Sequence, residues 1–91
     1  MNNPYTGKYA VTFEIEITRE LGAFILADYE RYFDKNNIDS KDMQNSDVAL
    51  YWNLVRLHDK LFVCETLDEV KGIRTAFRTA REHIKEIRGK S

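Results

Sequence analysis

The 91 residues predict a small α+β domain of order β-α-β-β-α, a single domain spanning 1–91, with two helices packed on one face of a small antiparallel-containing sheet. Three observations carry this. Apolar and polar residues alternate strictly from Tyr9 to Thr18, helical periodicity recurs over two separate stretches, and a run rich in Val, Tyr, Trp, Phe and Cys lies between them.

After an irregular lead-in at residues 1–7 with Asn2, Asn3, Pro4 and Gly7, the apolar residues Tyr9, Val11, Phe13, Ile15 and Ile17 take every second position. A period of two held this long predicts a strand with one face on a core and one face wet. Such a strand needs ladder partners. Thr18 is then placed to cap a helix from Arg19 to about Lys35, whose apolar face comprises Leu21, Phe24, Ile25, Tyr29, Tyr32 and Phe33. Gly22 lowers helix propensity near its start by about 1 kcal/mol relative to Ala. Residues 36–46, NNIDSKDMQNS, predict a loop longer than the usual connection.

Residues 47–65 fit two templates. As a hairpin, Val48–Leu57 and Leu61–Glu65 are strands joined at His58, Asp59 and Lys60, and they supply partners for the first strand. As a helix, Leu50, Leu54, Leu57 and Leu61 share a stripe, and the order becomes β-α-α-α with the first strand pairing across a dimer. The need for ladder partners favours the hairpin.

Residues 66–88 give the clearest signal. Val70, Ile73, Phe77, Ala80, Ile84 and Ile87 form one helical stripe, and Lys71, Arg74, Arg78, Arg81, Lys85 and Arg88 form a basic stripe about 100° round from it. Thr66 and Glu69 make a capping box, and Gly89 with Lys90 a stop.

Lys and Arg number 7 against 13 acidic residues over 1–70, and 7 against 2 over 71–91, so segments of charge −6 and +5 make a net charge of −1. The overall balance argues against bulk electrostatic attachment to nucleic acid, and the segregation lets the basic C-terminal segment complement an acidic body, a second subunit or an anionic ligand. No apolar run reaches a membrane span and no secretory signal is evident, so a soluble, cytoplasmic protein without a membrane partner is expected. Cys64, flanked by apolar residues, reads as a small core residue.

Catalytic and metal chemistry find no support, and neither an enzyme, a metal nor a cofactor is expected. Glu14 and Glu16 share a strand face with nothing to separate their pKa values. His58, His83 and Cys64 have no ligand spacing, and no phosphate-binding glycine loop or nucleophile elbow occurs. Asp34, Asn36 and Asp39 fail as a calcium loop, since Ile38 stands at a ligand position and the turn glycine is missing.

What remains is a small non-enzymatic regulatory or inhibitory protein, expected to be phage-encoded, that binds a protein partner and forms a homodimer. Its expected contact residues are the basic stripe Lys71, Arg74, Arg78, Arg81, Lys85 and Arg88, with Tyr51 or Trp52 as an exposed aromatic anchor. The alternative is nucleic-acid binding by the same basic face.

Overall fold

The computed structural model describes residues 8–89, and every regular element among them is helical. Helix α1 runs Lys8–Lys35, α2 runs Ser46–Lys60 and continues into a single 3-10 turn at Leu61–Val63, and α3 runs Leu67–Gly89. The lead-in at 1–7 and Lys90 lie outside the described residues.

Helix α1 corrects the first expectation. The residues assigned to a strand, Tyr9–Thr18, form the first turns of one continuous 28-residue helix. Residues two apart on a helix lie about 200° apart, so the alternation splits into two helical faces rather than the two sides of a sheet. Val11 and Ile15 pack against the core on one face, and Phe13 and Ile17 are exposed on the opposite one. Thr18 caps nothing. It is fully buried in mid-helix, and its hydroxyl accepts a hydrogen bond from Arg74 Nε at 3.1 Å.

The helix ends in the manner expected of a left-handed stop. Asn37 takes φ 55°, the Ile38 N–H reaches the Phe33 carbonyl at 2.8 Å and the Asn37 N–H reaches Asp34 at 3.4 Å. Ile38 then folds back onto the core. The connection 36–45 is held by Asx turns, with the Lys41 N–H on the Asp39 carboxylate and the Gln44 N–H on that of Asp42.

The hairpin expected over Val48–Leu57 and Leu61–Glu65 is also overturned, and with it the α+β class and the β-α-β-β-α order. Asn45 caps a helix there, its side-chain oxygen accepting from the N–H groups of Asp47 at 2.9 Å and Val48 at 3.4 Å. Leu54 and Leu61 of the leucine stripe are buried, Leu50 and Leu57 half-buried. The β-favouring side chains serve a helix whose apolar face is covered by its neighbours, which overrides propensity. The β-α-α-α alternative fails in its first strand and holds over 47–60.

Helix α3 begins as expected. The Glu69 N–H donates to Thr66 Oγ1 at 3.2 Å, while the Glu69 carboxylate takes the Thr66 hydroxyl at 3.1 Å instead of reaching the backbone. Its face Val70, Ile73, Phe77, Ala80 and Ile84 is buried against Ile25, Tyr29, Phe33, Val48, Leu54 and Leu61.

The helices run up, down and up. Glu14 meets Arg74 and Asp28 meets Arg88, so α1 and α3 are parallel, and Arg19 meets His58 while Glu30 meets Tyr51, so α2 is antiparallel to α1. Gly22 sits where α1 approaches both other helices. A Cβ there would lie 2.8 Å from His58 Cδ2 and 2.8 Å from Phe77 Cζ.

Candidate functional site

The basic stripe of α3 consists of two columns of heptad spacing, and the fold treats them differently. Arg74, Arg81 and Arg88 border the seam with α1. The Arg74 guanidinium pairs with the Glu14 carboxylate and the Thr18 hydroxyl, and Arg88 Nη1 lies 3.7 Å from Asp28. Glu14 and Asp28 are themselves fourteen residues apart, matching Arg74 and Arg88. Between these two rungs Leu21 takes the heptad position opposite Arg81, whose Nε is buried without a hydrogen-bond partner among the described residues.

Lys71, Arg78 and Lys85 make up the second column, turned to solvent about 10.5 Å apart along the helix. No ion pair of Lys71 or Arg78 occurs among the described residues, and Lys85 has only Glu82 at 3.9 Å with both side chains well exposed.

Tyr51 and Trp52 are not set beside this stripe. On α2 they face α1 and the 36–45 connection. Tyr51 stacks edge-on against Phe33 with ring centroids 5.5 Å apart and donates its hydroxyl to the Glu30 carboxylate at 2.9 Å. The Trp52 indole N–H donates to the Ser40 carbonyl at 2.6 Å. Burial, then the hydrogen bond to Glu30 and its charge, push the Tyr51 hydroxyl up to about 12. Both rings therefore have structural employment, although Trp52 remains partly exposed.

The histidines are similarly occupied. His58 Nε2 lies 3.1 Å from the Arg19 carbonyl with its ring edge-on to Phe77, and His83 Nε2 lies 2.9 Å from the Asp47 carboxylate. Among the described residues no group of three or more His, Cys, Asp or Glu is placed to hold a metal. Cys64 is buried, and burial, ahead of the charge on Glu69, raises its thiol pKa. No described helix is long and apolar enough to cross a membrane.

The face that composition and periodicity missed is on α1. Phe13, Ile17 and Phe24 are 62%, 41% and 73% exposed and lie within about 40° of one another round the helix, about 120° round from the buried face of Thr18, Ile25 and Tyr29. Apolar side chains clustered on the solvent side of a helix make this face a candidate contact surface. The signal was present as the spacing Phe13, Ile17 and, seven residues on, Phe24. It was absorbed into the strand pattern and into the expected core of the next helix.

The family model of the bacterial epsilon antitoxin matches residues 7–87 of this sequence. The chain belongs to the epsilon antitoxin family. The matched span runs from the residue before α1 almost to the end of α3, so the family assignment covers the whole helical bundle and not one motif within it. Neither a curated relative nor a solved structure matches the chain. Membership agrees with a regulatory or inhibitory protein and implies a protein toxin as its partner.

Proposed function

We propose that the chain neutralises a toxin protein by direct, non-catalytic binding, with the α1 ridge of Phe13, Ile17 and Phe24 as the principal contact. The ridge is the observation that carries this reading. Three large apolar side chains on the water side of a helix lie outside the core formed by the described residues. Covering them by a partner is worth on the order of 1 to 2 kcal/mol each, less than the full value because part of their surface already touches neighbouring residues.

Helix α1 is also backed along its length. Tyr29 donates to the Ala80 carbonyl at 2.9 Å and Glu14 is held by Arg74, so the ridge is presented on a supported helix and little ordering entropy is lost on docking. A free chain bearing this ridge has reason to pair with a second copy until the toxin replaces it. The homodimer and the cytoplasmic setting expected from the sequence belong to this reading.

Nucleic-acid binding is disfavoured. Of the six cations of the stripe, Arg74 and Arg88 are spent on carboxylates of α1, which leaves too short a basic track to follow a phosphate backbone.

The test is growth rescue by co-expression with a toxin. Wild-type chain is expected to relieve growth arrest, and Phe13→Ser with Phe24→Ser to lose the relief while its circular dichroism stays helical. Full relief by that variant would remove the ridge from the interface.

A further inference from the structure

The partner's chemistry can be read from what lies on either side of the ridge. Going round α1 from the seam residues Glu14 and Asp28 and away from the core, the next positions outward are those of Phe13, Ile17 and Phe24. Going round α3 from Arg74, Arg81 and Arg88, the next positions outward are Lys71, Arg78 and Lys85. Because the two helices are parallel and share that seam, the apolar ridge and the outer cation column flank the seam on the same solvent side. Beyond the ridge, on the margin of α1 away from α3, stand Glu16 and Glu20, both exposed. The face is therefore ordered cation, apolar, anion across its width.

We infer that this face docks into an apolar groove of the toxin whose two walls carry opposite charge, an acidic wall along α3 meeting Lys71 and Arg78 and a basic wall meeting Glu16 and Glu20. The inference rests on the toxin-binding reading above and adds the orientation of the complex. Like charges brought together by the reversed orientation repel, so the order of charge selects one direction of docking while the ridge supplies most of the affinity.

A nucleic acid fits the same face poorly. Phosphates along Lys71 and Arg78 would leave the aromatic ridge in water, and the carboxylates of Glu16 and Glu20 would oppose a strand that widened over it. Among the described residues Lys71 and Arg78 have no carboxylate partner to leave, so their charge is open to a partner, whereas Arg74 is already engaged by Glu14.

The probe is the purified toxin whose growth arrest the wild-type chain relieves, titrated at low and near-physiological salt with folding of each variant checked by circular dichroism. Lys71→Glu with Arg78→Glu is expected to raise Kd at least about tenfold at low salt, and Glu16→Lys with Glu20→Lys to do the same, both effects shrinking as salt rises. Lys71→Gln with Arg78→Gln, which only removes charge, is expected to give a smaller loss in the same direction. Phe24→Ala is expected to weaken binding at both salts by roughly thirtyfold. If Phe24→Ala weakens binding but reversal at Lys71 and Arg78 leaves Kd unchanged or lowers it, the acidic wall is refuted and the ridge stands. If Phe24→Ala has no effect, the ridge reading itself fails. A labelled DNA duplex that binds at near-physiological salt and is released by Lys71→Glu with Arg78→Glu would assign the column to nucleic acid and overturn the inference.

Discussion

A methyl group on Gly22 would come within 2.8 Å of His58 and of Phe77, and Phe77 is fully buried and has no room to retreat. Helix propensity favours Ala over Gly by about 1 kcal/mol, but overpacking at a helix contact costs about 1 to 3 kcal/mol. Gly22→Ala is therefore expected to lower the urea midpoint. Gly72, on the exposed side of α3 with nothing within 4 Å of its Cβ position, should do the opposite and gain roughly 0.5 to 1 kcal/mol as Ala. A stabilised Gly22→Ala would show that α1 can move off its neighbours without loss. The same logic separates two arginines that sequence spacing treats alike. Arg74→Ala strips the buried Thr18 hydroxyl and Glu14 of their donor and is expected to cost about 1 to 3 kcal/mol, whereas Arg78→Ala, at an exposed position with no ion pair among the described residues, should stay within about 0.5 kcal/mol. Equal midpoints for the two variants would place Arg74 outside the packing of the bundle.

At the scale of elements, α3 was legible over most of its length because its apolar face has one purpose, although Ile87 is only half-buried and Gly89, read as the stop, is still helical. Val70, Ile73, Phe77, Ala80 and Ile84 are all core, and Thr66 and Glu69 do meet. Helix α1 was not, because it carries two apolar faces. Val11 and Ile15 serve the core, Phe13 and Ile17 face water, and four residues from two helical stripes together spell a strand. Phe24 misled in the same way, since it reads as core beside Ile25 and is among the most exposed large side chains. What obscured the fold was thus the feature best suited to function. For α2, leucine spacing was correct and β propensity was not, and the deciding cue was Asn45, two residues before Asp47. Asn45→Ala should destabilise the protein by about 1 kcal/mol, read as a lower thermal midpoint, since it orphans the Asp47 and Val48 amides. An unchanged midpoint would mean that water replaces the cap at no cost. Of the contact residues expected from sequence, the fold leaves Lys71, Arg78 and Lys85 open, draws Arg74 and Arg88 into ion pairs, and gives Tyr51 and Trp52 internal hydrogen bonds. Charge order along the chain cannot reveal that division, because it depends on which flank of α3 meets α1.

For the molecule as a whole, the three helices are tied near one end by phenol hydroxyls, and this makes stability depend on alkaline pH. Tyr29 joins α1 to α3 through the Ala80 carbonyl, and Tyr51 joins α2 to α1 through Glu30. Burial, followed by the negative charge of Asp47, holds the Tyr29 proton well above the ordinary value of 10.0, and burial with Glu30 holds that of Tyr51 up to about 12. Tyr32 is raised in the same sense by burial and then by Asp47. These groups keep their protons more tightly in the folded chain than in the unfolded one. Their contribution is therefore fully present below pH 10 and is lost as pH rises from about 10 toward 12 and beyond, at about 1.4 kcal/mol per pH unit for each group that remains protonated only when folded. The buried Cys64 thiol, raised above 9.0, starts the decline slightly earlier. Urea titrations at half-unit steps between about pH 8 and 11 should show a level region and then a fall that steepens past pH 10. In Tyr51→Phe the protein should be less stable near neutrality, having lost the bond to Glu30, but its alkaline fall should be shallower, because one of the protons that separates the two states is gone. If the variant falls as steeply as the wild type, the Tyr51 hydroxyl does not hold the α1–α2 end together, and the alkaline limit belongs to Tyr29, Tyr32 and the Cys64 thiol.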